Sequence, residues 1–219
     1  MVAATRTSPS DAVERLRLQR LAIRLEYGTI VWNLGEAVLT IAFGIAAGSL
    51  ALVAFGTDSI IEVFASGVVV WHEREEGPAE AARSSRALRL VAAAFVALAI
   101  VLGSVAARDI ITGRRADGSV AGIVYLTMAA CVMFGLAIWK RRVATRLGSA
   151  PLRSEAALTF LDGILSVMTL TGLALNAVFG LWWADPAAAL IVALAAANEG
   201  RESLREARMI AGEGERVRS

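Results

Sequence analysis

Apolar residues fall in six long runs, at 27–47, 50–71, 88–107, 119–139, 153–176 and 184–200, separated by short charged stretches. A helix needs roughly 20 apolar residues to cross a bilayer core, and each run meets or approaches that length. Lipid offers backbone amides no hydrogen-bond partner, so each run is expected to be an α-helix. The expected fold class is therefore an all-α membrane protein, a six-transmembrane-helix bundle. Residues 1–10 are small and polar, and no apolar core with a cleavage site follows them, so the spans read as permanent rather than as a signal peptide. The chain divides into an N-terminal tail (1–26), a transmembrane domain (27–200) and a C-terminal tail (201–219).

The charges between the runs are unequally shared. Of 22 Lys and Arg residues, nineteen fall on one side of the expected bundle. The other side holds only Arg108, Arg114 and Arg115. The positive-inside bias places both termini in the cytoplasm of a cell whose inner (plasma) membrane the chain crosses. Trp182 and Trp183 then sit at the outer interface, as an aromatic belt would. Residues 11–25 read as an amphipathic helix capped by Asp11, with Glu14 three residues on. Val13, Leu16, Leu21 and Leu25 share its apolar side, and its arginines face lipid phosphates. The stretch after Gly200 reads as another short helix. Gly44 and Gly48 form a G-x-x-x-G that suits a tight turn or close packing, within one subunit or at a dimer seam.

Composition narrows the function. At 57% hydrophobic and 19% charged, a chain of this size is too apolar for an ordinary soluble domain. A net charge of +2 gives no footing for nucleic acid. With one histidine and no phosphate loop or nucleophile elbow, an enzyme is not expected.

Four carboxylates lie where lipid should exclude them: Glu36, Asp58, Glu62 and Asp162. A charge at the bilayer centre costs about 2.5–3.5 kcal/mol on insertion scales. At about 1.5 Å per residue, Glu36 lies roughly 14 Å in from the cytoplasm and Asp162 roughly 14 Å. Asp58 and Glu62 lie roughly 12 and 18 Å in from the outside. All four therefore approach the midplane, and Asp58 and Glu62, four apart, share a helix face. Four like charges at low dielectric need protons or a cation among them. That is the chemistry of a metal site coupled to proton release. The bland alternative is that each acid is neutral or bonded to a neighbour such as Asn33, Ser59 or Ser166. No basic residue lies inside any expected span to pair with them.

Weaker candidates read structurally. His72 with Glu73, Glu75 and Glu76 could catch metal at the cytoplasmic mouth but reads first as a charged loop. Asp185 and Glu155 read as helix N-terminal caps, and Cys131 and Met133 as packing. Asp58-x-Ile60-x-x-Val63 and Asp162-x-Ile164-x-x-Val167 hint faintly at a repeat.

The run Gly48-Ser49-Leu50-Ala51-Leu52, followed by Asp58-Ser59-Ile60-Ile61-Glu62, resembles the first two helices of cation diffusion facilitators. Ser154-Glu155-Ala156 through Asp162, then Trp182-Trp183-Ala184-Asp185-Pro186, resembles their last two. The resemblance spans roughly residues 27–205. It implies six helices, a homodimer, and export of divalent metals such as zinc or manganese in exchange for protons. It also implies a site with two ligands from the second helix and two from the fifth. Asp58 and Glu62 match the first pair, and Asp162 matches one member of the second. The remaining position is Leu158, and Glu36 is expected to supply a fourth ligand by its depth. An all-oxygen set is harder than one with imidazole and favours Mn²⁺ or Fe²⁺ more than a mixed site would, with Zn²⁺ leading by resemblance. Relatives commonly carry a cytoplasmic metal-binding domain after the sixth helix. About twenty residues remain after Glu199, too few for one, so the transmembrane domain alone is expected.

The reading is a divalent-cation exporter driven by proton antiport, with Glu36, Asp58, Glu62 and Asp162 holding the transported ion. Its expected partners are the bilayer, protons and a second copy of the chain. Two rivals remain: a non-transporting metal sensor or partner protein, and a proton-coupled transporter of another solute.

Overall fold

The computed structural model describes residues 9–47, 50–75, 80–113 and 120–216. Six helices carry these residues: α1 (Pro9–Ala47), α2 (Leu50–Arg74), α3 (Glu80–Thr112), α4 (Val120–Leu147), α5 (Ala150–Phe179) and α6 (Ala184–Arg216). No strand occurs among the described residues. Glu80–Thr112, Ile123–Leu147 and Ala150–Asn176 are long and apolar enough to cross a membrane by length and composition.

Local chemistry sets several ends. Pro9, whose missing N–H would be unsatisfied there anyway, opens α1. Gly148 turns left-handed at φ 73°, so α4 and α5 are joined by only Gly148 and Ser149. Ser149 caps α5 by accepting the Leu152 amide at 3.3 Å. Gly180, also left-handed at φ 68°, ends α5 and donates its N–H to the Asn176 carbonyl at 2.9 Å.

Five expectations about these ends change. Glu155 does not cap α5, because the helix already starts at Ala150. Asp11 lies within α1 rather than before it, and Asp185 is the second residue of α6. The amphipathic stretch 11–25 and the first apolar run are one continuous helix, and α6 likewise runs unbroken past Gly200.

Helix pairing forms two layers. α1 packs on α2 and α4, and α5 packs on α4 and α2, closing a four-helix ring. α3 and α6 pack on each other and lean together on α2 and α5. Their close approach is visible at Gly200, where an added Cβ would meet Phe95 Cβ at 3.1 Å. Ser85 also donates to the Ala207 carbonyl at 2.8 Å. The apolar cluster between ring and pair holds Val68, Val91, Phe95, Leu158, Leu165 and Val192. A second cluster, Leu18, Ala22, Leu25, Val69, Val143, Ala144 and Leu152, fills the ring at its arginine-rich end. The buried side of early α1 is thus Leu18, Ala22 and Leu25, whereas Val13, Leu16 and Leu21 are exposed.

The outside of the bundle is apolar. Val38 is 68% exposed, Ile100 63% and Leu194 72%, while the ring interior is lined with acids, amides and hydroxyls. Water would not tolerate so much exposed apolar surface on a monomer, and lipid does. The molecule is a membrane protein. Cys131 belongs to the exposed face rather than to packing, whereas Met133 is fully buried as expected.

Candidate metal centre

Polar side chains recur on α1 at three- and four-residue steps: Glu26, Thr29, Asn33, Glu36 and Thr40, all buried. On α2, Asp58, Glu62 and Ser66 recur at four-residue steps with Ser59 next to Asp58, and on α5 Glu155, Thr159, Asp162 and Ser166 recur at three- and four-residue steps, again all buried. Residues three and four apart share a helix face, so each helix turns one polar stripe into the ring. Together the stripes form a column of oxygen atoms along the bundle axis. Glu36, Asp58, Glu62 and Asp162 all lie on this column.

Hydrogen bonds tie the column across helices. Asn33 donates to Glu62 Oε2 at 2.7 Å, joining α1 to α2. Ser59 donates to Glu36 Oε2 at 3.0 Å, and the Tyr125 hydroxyl of α4 donates to Glu36 Oε1. Several oxygens remain without hydrogen-bond partners: Glu62 Oε1, Asp162 Oδ2, Asn33 Oδ1 and Ser166 Oγ. Buried polar atoms are normally paired, so this set of orphans in one column is unusual. No three His, Cys, Asp or Glu side chains are gathered closely enough to hold an ion among the described residues. Glu36 and Glu62 are instead held by side-chain donors.

α1 and α2 approach each other closely beside the acids. A Cβ on Gly56 would meet Ile41 Cγ1 at 2.5 Å, Thr40 Oγ1 at 2.6 Å and the Ala37 carbonyl at 3.2 Å. Only glycine lets the two polar stripes come this near. Leu158 belongs to the apolar cluster shared with α3 and α6, and Thr159 stands on the polar stripe in its place.

Lys140 overturns the expectation that no basic residue reaches the interior. It is fully buried, with Nζ at 2.7 and 2.8 Å from the two Glu155 oxygens. Glu26 Oε2 lies 3.1 Å from the same Nζ, and Thr159 Oγ1 also 3.1 Å. Ser66 adds a hydrogen bond to Glu155 at 3.0 Å. Lys140 stands before Arg141 and Arg142, which made it look like part of a loop. However, α4 continues for two more turns, and Lys140 continues the buried line Met133, Ala137 and Ala144. Glu26 lay one residue before the first apolar run, although its seven-residue spacing to Asn33 and Thr40 marks the same face. For Tyr125, nothing in the local pattern singled it out.

At the arginine-rich end a cavity of about 400 Å³ is lined by His72, Glu73, Ser149, Arg15 and Arg83 among others. His72 Nε2 is 2.8 Å from Ser84 Oγ and Nδ1 is 3.3 Å from Glu73, so His72 sits in a hydrogen-bonded helix end rather than in a loop. Glu75 accepts from Trp71 Nε1 at 2.7 Å. Glu76 and Gly48 lie outside the described residues.

The model of the cation efflux transmembrane domain matches residues 29–210. The chain belongs to the cation efflux family. Members of the family are transporters of divalent metal cations rather than enzymes, and the matched segment carries all four acids and Lys140. No curated protein matches the chain.

Proposed function

We propose that the chain exports a divalent transition-metal ion from the cytoplasm in exchange for protons, with Asp58, Glu62, Asp162 and Glu36 as the ion's ligands. Zn²⁺ leads by family, and the all-oxygen donor set makes Mn²⁺ and Fe²⁺ the other fitting ions. All six helices span the inner membrane in this reading, both termini lie in the cytoplasm, and residues 27–200 form the transmembrane domain between tails 1–26 and 201–219. Two copies pair as a homodimer.

The observation that carries the reading is the set of four buried acids on α1, α2 and α5, with orphan oxygens at Glu62 Oε1 and Asp162 Oδ2. Glu36 and Glu62 are bonded to Ser59, Tyr125 and Asn33, and an arriving ion draws them off these donors. Protons take the ion's place when it leaves. A bundle whose helices rock about such a column exposes it to one side at a time.

The test is metal-dependent proton flux in liposomes containing the purified protein. Asp58→Asn and Asp162→Asn should each reduce flux to that of protein-free vesicles. Undiminished flux in both variants defeats the ligand assignment. One observation favours a second reading, a metal-binding partner protein without transport: no three ligands are gathered in this conformation. Equilibrium metal binding with no flux in the wild type supports that reading instead.

A further inference from the structure

Seven to ten residues below the proposed ligands, toward the arginine-rich end, the same column contains a second acidic pair. Glu26 and Glu155 are both fully buried and come from α1 and α5. Thr159 and Ser66 place hydroxyls on Glu155, at 3.2 and 3.0 Å. The ammonium of Lys140 occupies the centre of this group, within 3.1 Å of both carboxylates. The group holds two carboxylates and one ammonium, so with all three ionised it carries one surplus negative charge. Neither Glu26 oxygen makes a hydrogen bond, and only Oε2 has the ion pair. A buried ion pair is stable only when its remaining lone pairs are satisfied, and Glu26 Oε1 is not. Lys140 Nζ has four oxygens within 3.1 Å, more than its three N–H groups can serve, and Glu26 Oε1 is left over. Two carboxylates and two hydroxyls are also a sensible ligand set for a hard divalent ion.

We propose that Glu26 and Glu155, with Thr159 and Ser66, form a second divalent-cation station, which Lys140 fills with its own ammonium until an incoming ion displaces it. The inference rests on the export reading for its direction of travel. The apolar plug of Leu25, Val69, Val143, Ala144 and Leu152 is built from neighbours of these residues and closes the column at the same end. Lys140 is thus a tethered cation standing behind that plug. It neutralises the acids while no ion is present and joins α4 to α1 and α5. An ion that passes the plug takes the two carboxylates and releases the ammonium. The next ligands are close: Glu62 is one turn from Ser66, and Asp162 is about 10 Å along α5 from Glu155.

The experiment measures Mn²⁺ binding to the full-length purified protein at equilibrium. Wild type should bind about two ions per chain, and Lys140→Met should tighten the weaker of the two about tenfold or more, because no ammonium has to be displaced. Adding Glu26→Gln to that variant should leave about one ion per chain. An unchanged affinity for the second ion in Lys140→Met overturns the proposal. Lys140→Met leaves two buried acids unpaired, so a measurement on unaltered Lys140 accompanies it. Lys140 is the single lysine of the chain, so after reductive methylation, mass spectrometry of the peptide that carries it reads it apart from the N-terminal amine. Saturating Mn²⁺ should accelerate its methylation severalfold, both in the wild type and in Asp162→Asn. Acceleration in the wild type but not in Asp162→Asn means that the ion acts only from the upper site, which overturns the station and leaves the export reading standing. No acceleration in either protein also overturns the station. Acceleration in both, with no flux from the wild type, supports the station and sinks export.

Discussion

Replacing Gly56 with alanine tests whether the close approach of α1 and α2 builds the site. The new Cβ would lie 2.5 Å from Ile41 Cγ1 and 2.6 Å from Thr40 Oγ1, where ordinary contacts are about 3.5 Å or more. Thr40 cannot simply rotate aside, because its hydroxyl donates to the Glu36 carbonyl at 2.7 Å. The Ala37 carbonyl, at 3.2 Å, is backbone and moves only with its helix. α2 must therefore shift from α1 by about 1 Å, at an overpacking cost of about 1–3 kcal/mol. Gly67→Ala on the same helix is the control, since nothing lies within 4 Å of its added Cβ. Both variants share the gain in helix propensity of about 1 kcal/mol, so the gap between them isolates the clash. That gap corresponds to a melting temperature lower by about 2–12 °C for Gly56→Ala in detergent. The same 1 Å shift stretches the Ser59–Glu36 hydrogen bond, now 3.0 Å, beyond the roughly 3.5 Å at which it ceases to be one. Metal binding should weaken by about tenfold relative to the control, as displaced supporting contacts do. Equal stability and equal affinity in the two variants would refute the reasoning.

Two further outcomes are expected. Tyr125→Phe frees Glu36 Oε1 from its donor; the metal-free protein should lose about 1 kcal/mol of stability while Mn²⁺ affinity rises by about fivefold, and a fall in affinity would contradict the view that this hydroxyl competes with the ion. Cys131 is the single cysteine and is exposed near the middle of α4, so a lipid-soluble maleimide should label it in vesicles and a charged thiol reagent should not; equal labelling by both would place this face in water.

Much was legible from the chain because the lipid constraint acts locally. Run lengths located the helices, and depth along each run singled out Glu36, Asp58, Glu62 and Asp162. The structure places all four on the ring's polar column. The same arithmetic failed wherever a helix outlasted its apolar run. Lys140 and Glu155 looked like loop and cap residues because flanking arginines and a serine end the hydropathy signal, yet α4 and α5 carry the inward stripe onward until they meet.

By itself, then, the sequence determined the helical class, the membrane environment and the position of each acid along its own helix, because hydrophobicity, period and rise per residue are properties of one helix at a time. Only the tertiary structure decided which helices enclose the column, that Lys140 stands between Glu26 and Glu155, and that Tyr125, Ser59 and Asn33 hold the acids. Those facts depend on rotation and separation between helices, which close contacts such as Gly56 on Thr40 set and which no single-helix pattern encodes.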